Sequence, residues 1–570
     1  MFYKGIILDL DNTIYNYDKC HKTALNSVVD YIKTIYQGEN NIRDIYDNIS
    51  KELKYELTNT ASCHNKSIYF KKLLEFLSLD LTFLDVMHDI YWRIFFHEIS
   101  CYDGVKEFLI WNKKNGIKIG ILTDYETEYQ IKKLSTLDIL KYIDIVVTSE
   151  EVGIEKPSCQ MFQTILRRLS LNIDEVIMIG DNFEKDIIGA FNMNIFPYWF
   201  NSLTDMSNLC VKRDKRYVDN GKYIEFSSFN HLLNEFTSTH NNLNQLKEMS
   251  RYCGERFDLV QAGGGNSSVK TENNWMFIKA SGINMSTINE VSGYVSIDNS
   301  KLSNDIDAGN VGEVLSYNII GHKRGSIETF MHSILNKFTI HLHPIQVNRI
   351  LISKCATKIV NDLFPTALVV DYFTPGIKVC NEIRRLYTKQ NIIFLVNHGL
   401  IITSDNYEEL YELLDDVIEK FEKYQKINCD KYKFTNVISK FINVTYNLNN
   451  VSYLCENSVI IEYLKSKLYL FHENIAFPDA LIYCGLKNAF IDELDNVKTY
   501  YEKFKETPKI IIIDNRIYLN SNSISKCKEI EELILANLII LDSAFDKNYL
   551  SIEEICFLNN WDAEKYRRLI

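Results

Sequence analysis

The sequence predicts an α/β protein built from two successive α/β regions, and three observations carry that reading. Across residues 1–236, short apolar runs ("KGIILDL", "KIGILT", "IDIVVTS", "EVIMIG") alternate with helix-length segments, the pattern of a parallel sheet covered on both faces. Between Ile14 and about Tyr102 no comparable strand occurs, so a helical insertion over about 14–102 is expected directly after the first strand. From Leu246 a second series starts at the Gly-rich "QAGGGNSSVK" and passes through "FTIHLHP" and "IIFLVNHGLII" to a charged helix ending near Lys426. A mixed tail over 431–570 follows, with strands such as "PKIIIID" and helices such as "KEIEELILANLIILD". The expected division is 1–236, a linker at 237–245 in the polar, weakly periodic "FTSTHNNLNQ", a second domain at 246–430, and its extension at 431–570.

Bulk composition narrows the function. At 570 residues the chain suggests about three or four domains or sub-domains. Hydrophobic residues at 46% and charged residues at 24% are ordinary for a globular protein. The net charge of −12 and the lack of a Lys/Arg block argue against nucleic acid, which demands a cationic surface. Small phosphorylated substrates need only a few local cations or backbone N–H groups. Thirteen dispersed cysteines without a C-x-x-C pair read as reduced thiols. The N-terminal apolar run stops at Asp9, unlike a secretory leader, and no apolar stretch approaches the roughly 20 residues of a membrane span. A cytoplasmic protein without membrane partners is expected.

The first chemistry begins at "GIILDLDNT". Residues i and i+2 of a strand face the same way, so Asp9 and Asp11 are expected to project together from a strand's carboxyl end, where ligands of open α/β sheets bind. Two adjacent carboxylates repel unless a cation lies between them, and Mg²⁺, which favours carboxylate and phosphate oxygen, fits. Taken alone, D-x-D also reads as a plain exit from strand to turn. Three further strand ends change the balance: Thr123 in "GILTDY", Lys156 in "GIEKPS", and Asp181 with Asp186 in "VIMIGDNFEKDIIGA". Singly these are a helix cap, a solvated lysine and a turn residue; together they are hard to explain as coincidence.

DLDNT, Thr123, Lys156 and GDNFEKD resemble the four motifs of the haloacid dehalogenase superfamily, mostly phosphatases, over about 1–236, and the helical insertion resembles that family's cap. The resemblance implies a Rossmann-like core in which Asp9 is the nucleophile that forms an aspartyl-phosphate. It implies Asp11 as the acid and then the base, Thr123 and Lys156 as holders of the phosphoryl group, and Asp9, Asp11, Asp181 and Asp186 around Mg²⁺. Substrate choice would lie in the cap, which the sequence does not decode. Tyr15 and Tyr17, near the cap entry, read as aromatic packing.

The second chemistry centres on histidine. "FTIHLHP" puts His341 and His343 on one face of a strand, and "LVNHGLI" supplies His398 at the end of another. Three imidazoles with an open fourth position are the ligand set of a catalytic zinc, although H-x-H alone also reads as two structural histidines. Upstream lie Asn266 in the Gly-rich turn, Ser281 and Gly282 in "FIKASGINM", and Ser326 and Glu328 in "RGSIETFMH". Backbone N–H groups and small hydroxyls in such loops suit a phosphate.

In this order the motifs resemble the class II aldolase/adducin family, including fuculose- and rhamnulose-1-phosphate aldolases, over about 246–426. The tail "LNNWDAEKYRRLI" resembles the extra part of longer bacterial members. The resemblance implies Zn²⁺ on His341, His343 and His398, Glu328 as the base on dihydroxyacetone phosphate, and a phosphate held by Asn266, Ser281, Gly282 and Ser326. It also implies a homo-oligomer, often a tetramer, with a tyrosine from a neighbouring subunit. Ile327 departs from the second serine common before the glutamate, and His332, one turn after Glu328, reads as site-facing or simply buried.

Joined, the two halves suggest an aldol addition of dihydroxyacetone phosphate to a short aldehyde, giving a ketose 1-phosphate, followed by dephosphorylation to free ketose. Two alternatives stand beside it. One is a methionine-salvage dehydratase fused to an enolase-phosphatase, against which the domain order and the residues after Asp9 weigh. The other is a phosphatase carried by a non-catalytic oligomerisation scaffold.

Overall fold

The computed structural model describes residues 3–204, 209–213, 221–289, 291–319 and 323–560. The chain folds as two compact units, dividing between Asn241 and Asn242. The tail motif at 558–570 lies almost wholly outside the described residues.

In the first unit the four predicted apolar runs form β1 (Gly5–Leu8), β2 (Lys118–Thr123), β3 (Ile145–Thr148) and β4 (Val176–Gly180). They are joined by β5 (Phe196–Phe200), β6 (Cys210–Arg213) and β7 (Lys222–Phe226). The sheet order is β3-β2-β1-β4-β5-β7-β6, parallel except for β6. The first strand in sequence is therefore central, with β2 and β4 beside it, and the carboxyl ends of all three open on the same edge of the sheet. Side chains from Ile7, Leu122, Val147, Met178, Phe162 and Ile165 fill one core cluster here.

The insertion is helical as expected: Tyr17–Ile35, Ile42–Glu56, Lys66–Phe76 and Phe83–Glu98. Asn16, Asn41 and Asn65 cap the first three, each accepting a backbone N–H from the opening turn. Their buried faces are unusually aromatic. Tyr46, Tyr69, Phe70, Tyr91, Trp92 and Phe95 pack ring against ring, an arrangement whose edge-to-face geometry fixes side-chain directions more tightly than aliphatic packing does.

The second unit holds two sheets. The larger comprises β8 (Asn266–Lys270), β9 (Trp275–Lys279), β10 (Tyr294–Asp298), β11 (Phe338–Leu342), β12 (Leu368–Val370), β13 (Ile392–Leu395) and β14 (Gly399–Ser404). Their order is β10-β9-β8-β11-β14-β13-β12, antiparallel except between β12 and β13. Here β11 is central, which explains why Phe338 through Leu342 are all buried and why its polar members must be satisfied internally. The smaller sheet, within the extension, is β15 (Val451–Leu454), β16 (Ala489–Phe490), β17 (Ile510–Ile513) and β18 (Arg516–Ser521), ordered β15-β18-β17-β16.

The boundary between the two units falls within residues 237–245. They lie inside the helix Phe229–Gly254. Polar composition masks an apolar stripe at helical spacing, since Phe229, Leu232, Phe236, Leu243, Leu246, Met249 and Cys253 are all buried. Phe236 sits 5.3 Å from the rings of both Tyr3 and Phe108. Phe236→Ala is expected to destabilise the first unit by about 3–5 kcal/mol through lost burial and the remaining void. Urea titration of the full chain followed by tryptophan fluorescence tests this, because Trp111 lies 6.4 Å from Phe236; a loss below about 1 kcal/mol would contradict it.

Candidate active sites

The first site grows from the strand edge just described. Asp9 follows β1 directly, Thr123 ends β2, and Asp181 follows β4. Lys156 reaches the same point from the segment after β3, its Nζ 2.5 Å from Asp9 Oδ1 and 2.7 Å from Asp186 Oδ1. The carboxylates of Asp9, Asp181 and Asp186 lie within 4.8 Å of one another. The Thr13 hydroxyl accepts the Asp181 N–H at 3.0 Å and stands 3.0 Å from Asp9 Oδ2 and 3.1 Å from Asp181 Oδ1, so it can donate to either. Gly180 is required here: a Cβ would come within 2.3 Å of Asp186 Oδ2.

Charge is unbalanced in this cluster. Three carboxylates surround a single ammonium in a buried setting. Burial and the neighbouring Asp186 push Asp181 up to about 7, and burial also raises Asp9 well above the usual carboxylate range, against the pull of Lys156. Burial likewise raises Asp186, with Lys156 again opposing. A hard divalent cation relieves that strain, and oxygen donors of this kind fit Mg²⁺.

The Asp11 carboxylate is not part of the close trio of Asp9, Asp181 and Asp186, although it lines the same cavity. The strand ends at Leu8, so the alternation that aligns Asp9 with Asp11 does not extend that far. The Asp11 carboxylate instead accepts from Lys133 at 2.7 Å, from Gln130 at 3.0 Å and from the Tyr15 hydroxyl. Burial works to raise its pKa, but Lys133 prevails and holds it below the usual carboxylate value. Tyr15 is thus more than packing, since its hydroxyl holds the Asp11 carboxylate. Gln130 also donates to Thr123 Oγ1, at 2.5 Å. Asp9, Asp11, Thr123, Lys156, Asp181 and Asp186 all line one cavity of about 370 Å³, roofed by residues of the helical insertion.

The second site is set by β11 and β14. His341, His343 and His398 each offer a ring nitrogen within 4.8 Å of the others. His341 Nε2 is 3.2 Å from His343 Nε2 and 3.3 Å from His398 Nε2. Tetrahedral zinc with nitrogens at 2.0–2.1 Å spaces them about 3.4 Å apart, so this separation fits a shared cation. Chemistry agrees: His341 Nδ1 lies 3.1 Å from the Leu400 carbonyl, the bond that leaves a neutral ring's Nε2 without a proton. Burial pushes His341 down to about 3, so the ring is neutral and its lone pair is available. Gly399 allows the close approach, since a Cβ would meet the Leu342 carbonyl at 2.3 Å and the His343 ring at 2.9 Å.

Glu328 stands beside this trio, Oε1 3.1 Å from His398 Nε2 and 3.4 Å from His341 Nε2, while Asn266 donates to Oε2. Asn266, Ser281, Gly282, Ser326, Glu328 and His343 line one cavity of about 220 Å³. His332 is buried, its Nδ1 2.7 Å from the Ser268 hydroxyl.

Comparison with known proteins locates both halves. A haloacid dehalogenase-like hydrolase family model matches residues 6–199, and a class II aldolase and adducin N-terminal domain model matches residues 244–424. A ribulose-1,5-bisphosphate 5-phosphatase of Halopiger xanaduensis is 33% identical over 190 residues, covering 33% of this chain and 80% of that protein. The chain belongs to the haloacid dehalogenase-like hydrolases. Its second unit carries a class II aldolase and adducin domain. A glyceraldehyde 3-phosphate phosphatase of Methanothermobacter thermautotrophicus is 27% identical over 203 residues, covering 35% of this chain and 86% of that one. Among solved structures, the N-terminal class II aldolase domain of a conserved protein from Thermoplasma acidophilum is 24% identical, covering 32% of this chain and 93% of that one with a TM-score of 0.30.

This hydrolase–aldolase fusion is an enzyme with phosphatase and aldolase-type domains. Haloacid dehalogenase-like phosphatases generally use Mg²⁺ and class II aldolases Zn²⁺, and the two donor sets fit those ions. Among the described residues no helix is long and apolar enough to cross a membrane.

Sequence reasoning did not single out several residues of these sites. Lys133 and Gln130 come from a helix, Thr127–Thr136, whose charges look like a solvated face until Asp11 is placed. Lys279 and Arg324 line the aldolase cavity; Lys279 Nζ bonds the carbonyls of Ile283 at 2.7 Å and Gly263 at 3.1 Å. A lysine closing the apolar run "WMFIK" was a readable signal, because a lysine is seldom fully buried without a partner.

His398→Ala is expected to cut zinc retained after dialysis from about one ion per chain to a small fraction, measured by elemental analysis. Zinc retained equally by wild type and variant would place the ion elsewhere.

Proposed function

We propose that the chain is a bifunctional sugar-phosphate enzyme. Its aldolase domain adds dihydroxyacetone phosphate to a short aldehyde, and its hydrolase domain releases phosphate from the resulting ketose 1-phosphate. One observation carries the reading: a phosphoryl-transfer constellation and a three-histidine aldolase constellation are each gathered, with their acid–base residues, in one polypeptide.

In the aldolase domain, Glu328 takes the C–H proton of dihydroxyacetone phosphate. Asn266 steers the carboxylate by its bond to Oε2, leaving Oε1 toward the histidines. Gly282, at φ +74°, turns the backbone so that Ser281 and Gly282 face the cavity, where with Asn266 and Ser326 they hold the phosphate. Ile327 is 48% exposed and contributes only an apolar rim. Zn²⁺ on the three imidazoles would supply Lewis-acid stabilisation of the charge left by proton removal.

In the hydrolase domain, an Asp9 oxygen attacks phosphorus and the bond to the sugar oxygen breaks. Asp11 delivers a proton to that oxygen, then takes one from the water that cleaves the aspartyl-phosphate. Lys156 and Thr123 hold the phosphoryl oxygens. Asp11 is ionised while Lys133, Gln130 and Tyr15 donate to it, so it must give up its bond to Lys133 and take a proton from solvent before it can deliver one to the leaving oxygen. Mg²⁺ on the three carboxylates would neutralise charge on the transferring group. Hydrolysis is strongly downhill and draws the reversible aldol step forward.

The test measures phosphate release from dihydroxyacetone phosphate with a panel of neutral and anionic short aldehydes. Release should require an aldehyde and fall at least about a thousandfold in both Asp9→Asn and Glu328→Gln, with sugar phosphate accumulating only in Asp9→Asn. Aldehyde-independent release that Glu328→Gln leaves intact would separate the two activities and sink the coupled scheme.

A further inference from the structure

The roof of the hydrolase cavity carries a cation with no assigned partner. Lys66, the first residue of the helix Lys66–Phe76, is only 5% exposed, yet it lines the cavity. Among the described residues no carboxylate pairs with it. Its Nζ instead lies over three tyrosine rings, 5.0 Å from Tyr69, 5.8 Å from Tyr91 and 5.9 Å from Tyr17. Cation–π contact is weak beside the cost of removing an ammonium from water, so the tyrosines alone do not compensate its burial.

The neighbours add to the imbalance. Lys133 shares the Tyr17 ring, at 5.3 Å, but is bonded to Asp11. Lys54 lines the same cavity from an exposed position. The histidines are not spare cations: His64 is engaged by Glu155 at 2.9 Å, and burial pushes His21 down to about 2. Burial and the repulsion of Lys54 and Lys133 push Lys66 down to about 7, the direction an entering anion would reverse. Lys66 and Lys54 thus bring cations to the cap side of a cavity whose floor holds Asp9, Asp181 and Asp186 with Lys156, and the exposed Asp18 is the carboxylate that the cap adds to the lining.

We propose that Lys66, with Lys54 at the rim, is a second anion site, and that the preferred substrate carries a further phosphate or carboxylate distant from the ester that is cleaved. The inference rests on the phosphatase reading above and refines it. Dihydroxyacetone phosphate has one anionic group, so a site that demands two spares it. The aldol acceptor is then itself an anionic aldehyde, and the ketose 1-phosphate carries that anion at its far end. An aromatic-lined ammonium suits this role because it gains most when a dianion replaces the missing carboxylate.

The experiment compares kcat/KM for two matched pairs, fructose 1-phosphate with fructose 1,6-bisphosphate and ribulose 5-phosphate with ribulose 1,5-bisphosphate. 3-Phosphoglycerate represents a distal carboxylate, and dihydroxyacetone phosphate is the reference with one anion. Wild type should favour at least one probe with two anionic groups by about tenfold or more, mostly through KM, and Lys66→Met should bring that ratio close to one. Met keeps the unbranched stem among the tyrosines, and thermal unfolding checks that the cap is intact. Lys54→Ala should lower the same ratio by a smaller factor. A preference for 3-phosphoglycerate alone assigns the second anion as carboxylate, and one for the bisphosphates assigns it as phosphate. Equal kcat/KM within both pairs, with 3-phosphoglycerate no better than the substrates with one anionic group, or a preference that Lys66→Met leaves in place, overturns the inference alone. Release from every probe persisting in Asp9→Asn, or absent in wild type, overturns the phosphatase reading and the inference with it.

Discussion

Uncompensated charge, held out of water at the ends of central strands, is the constraint on which both sites depend. In the hydrolase unit Lys156 lies against Asp9 and Asp186 while Asp181 stands close by, one cation among three acids. Such a cluster is costly in a folded protein unless geometry keeps every remaining lone pair useful. Here the supports are visible: Thr13 between Asp9 and Asp181, the Asn182 N–H on Asp186 at 3.0 Å, and Gly180 leaving room for that carboxylate. The packed sheet holds these groups together against their repulsion, and the oxygen donors it gathers fit a divalent cation.

The aldolase domain solves the same problem with neutral donors. Burial keeps the His341 ring neutral, and its Nε2 lies 3.2 Å from that of His343 and 3.3 Å from that of His398, so the three rings can present lone pairs to a single point. Glu328 is the one acid beside them, and Asn266 occupies one of its oxygens. The cap pushes the principle in the opposite sign. Lys66 is a buried cation without its acid, and the missing charge describes the ligand.

The central strands were legible because their apolar runs are uninterrupted and each ends at a residue with chemistry to do. Asp9, Thr123, Lys156, Asp181 and Asp186 converge, as do the three histidines with Glu328, because strand order places sequence-distant ends side by side. Asp11 shows where pattern reasoning stops: period-two alternation holds only inside a strand, and β1 ends at Leu8. The helical form of 237–245 was hidden for a related reason, since its polar residues mask the stripe of Phe236, Leu243 and Leu246. Lys66 and Lys133 were invisible in sequence. A lysine on a helix reads as solvated until the fold shows what lies over it, and only the three tyrosine rings and Asp11 give the two their different meanings.

Sequential use of two sites in one chain predicts an order of events as well as a total yield. Phosphorus NMR of the wild-type protein supplied with dihydroxyacetone phosphate, an acceptor aldehyde, Mg²⁺ and Zn²⁺ follows that order directly. The account predicts that the dihydroxyacetone phosphate resonance falls first, a ketose 1-phosphate resonance rises and then decays, and inorganic phosphate appears after a lag. Without aldehyde the starting resonance should persist. Inorganic phosphate growing from the first spectrum at the same rate with and without aldehyde, with no intermediate resonance, would contradict it.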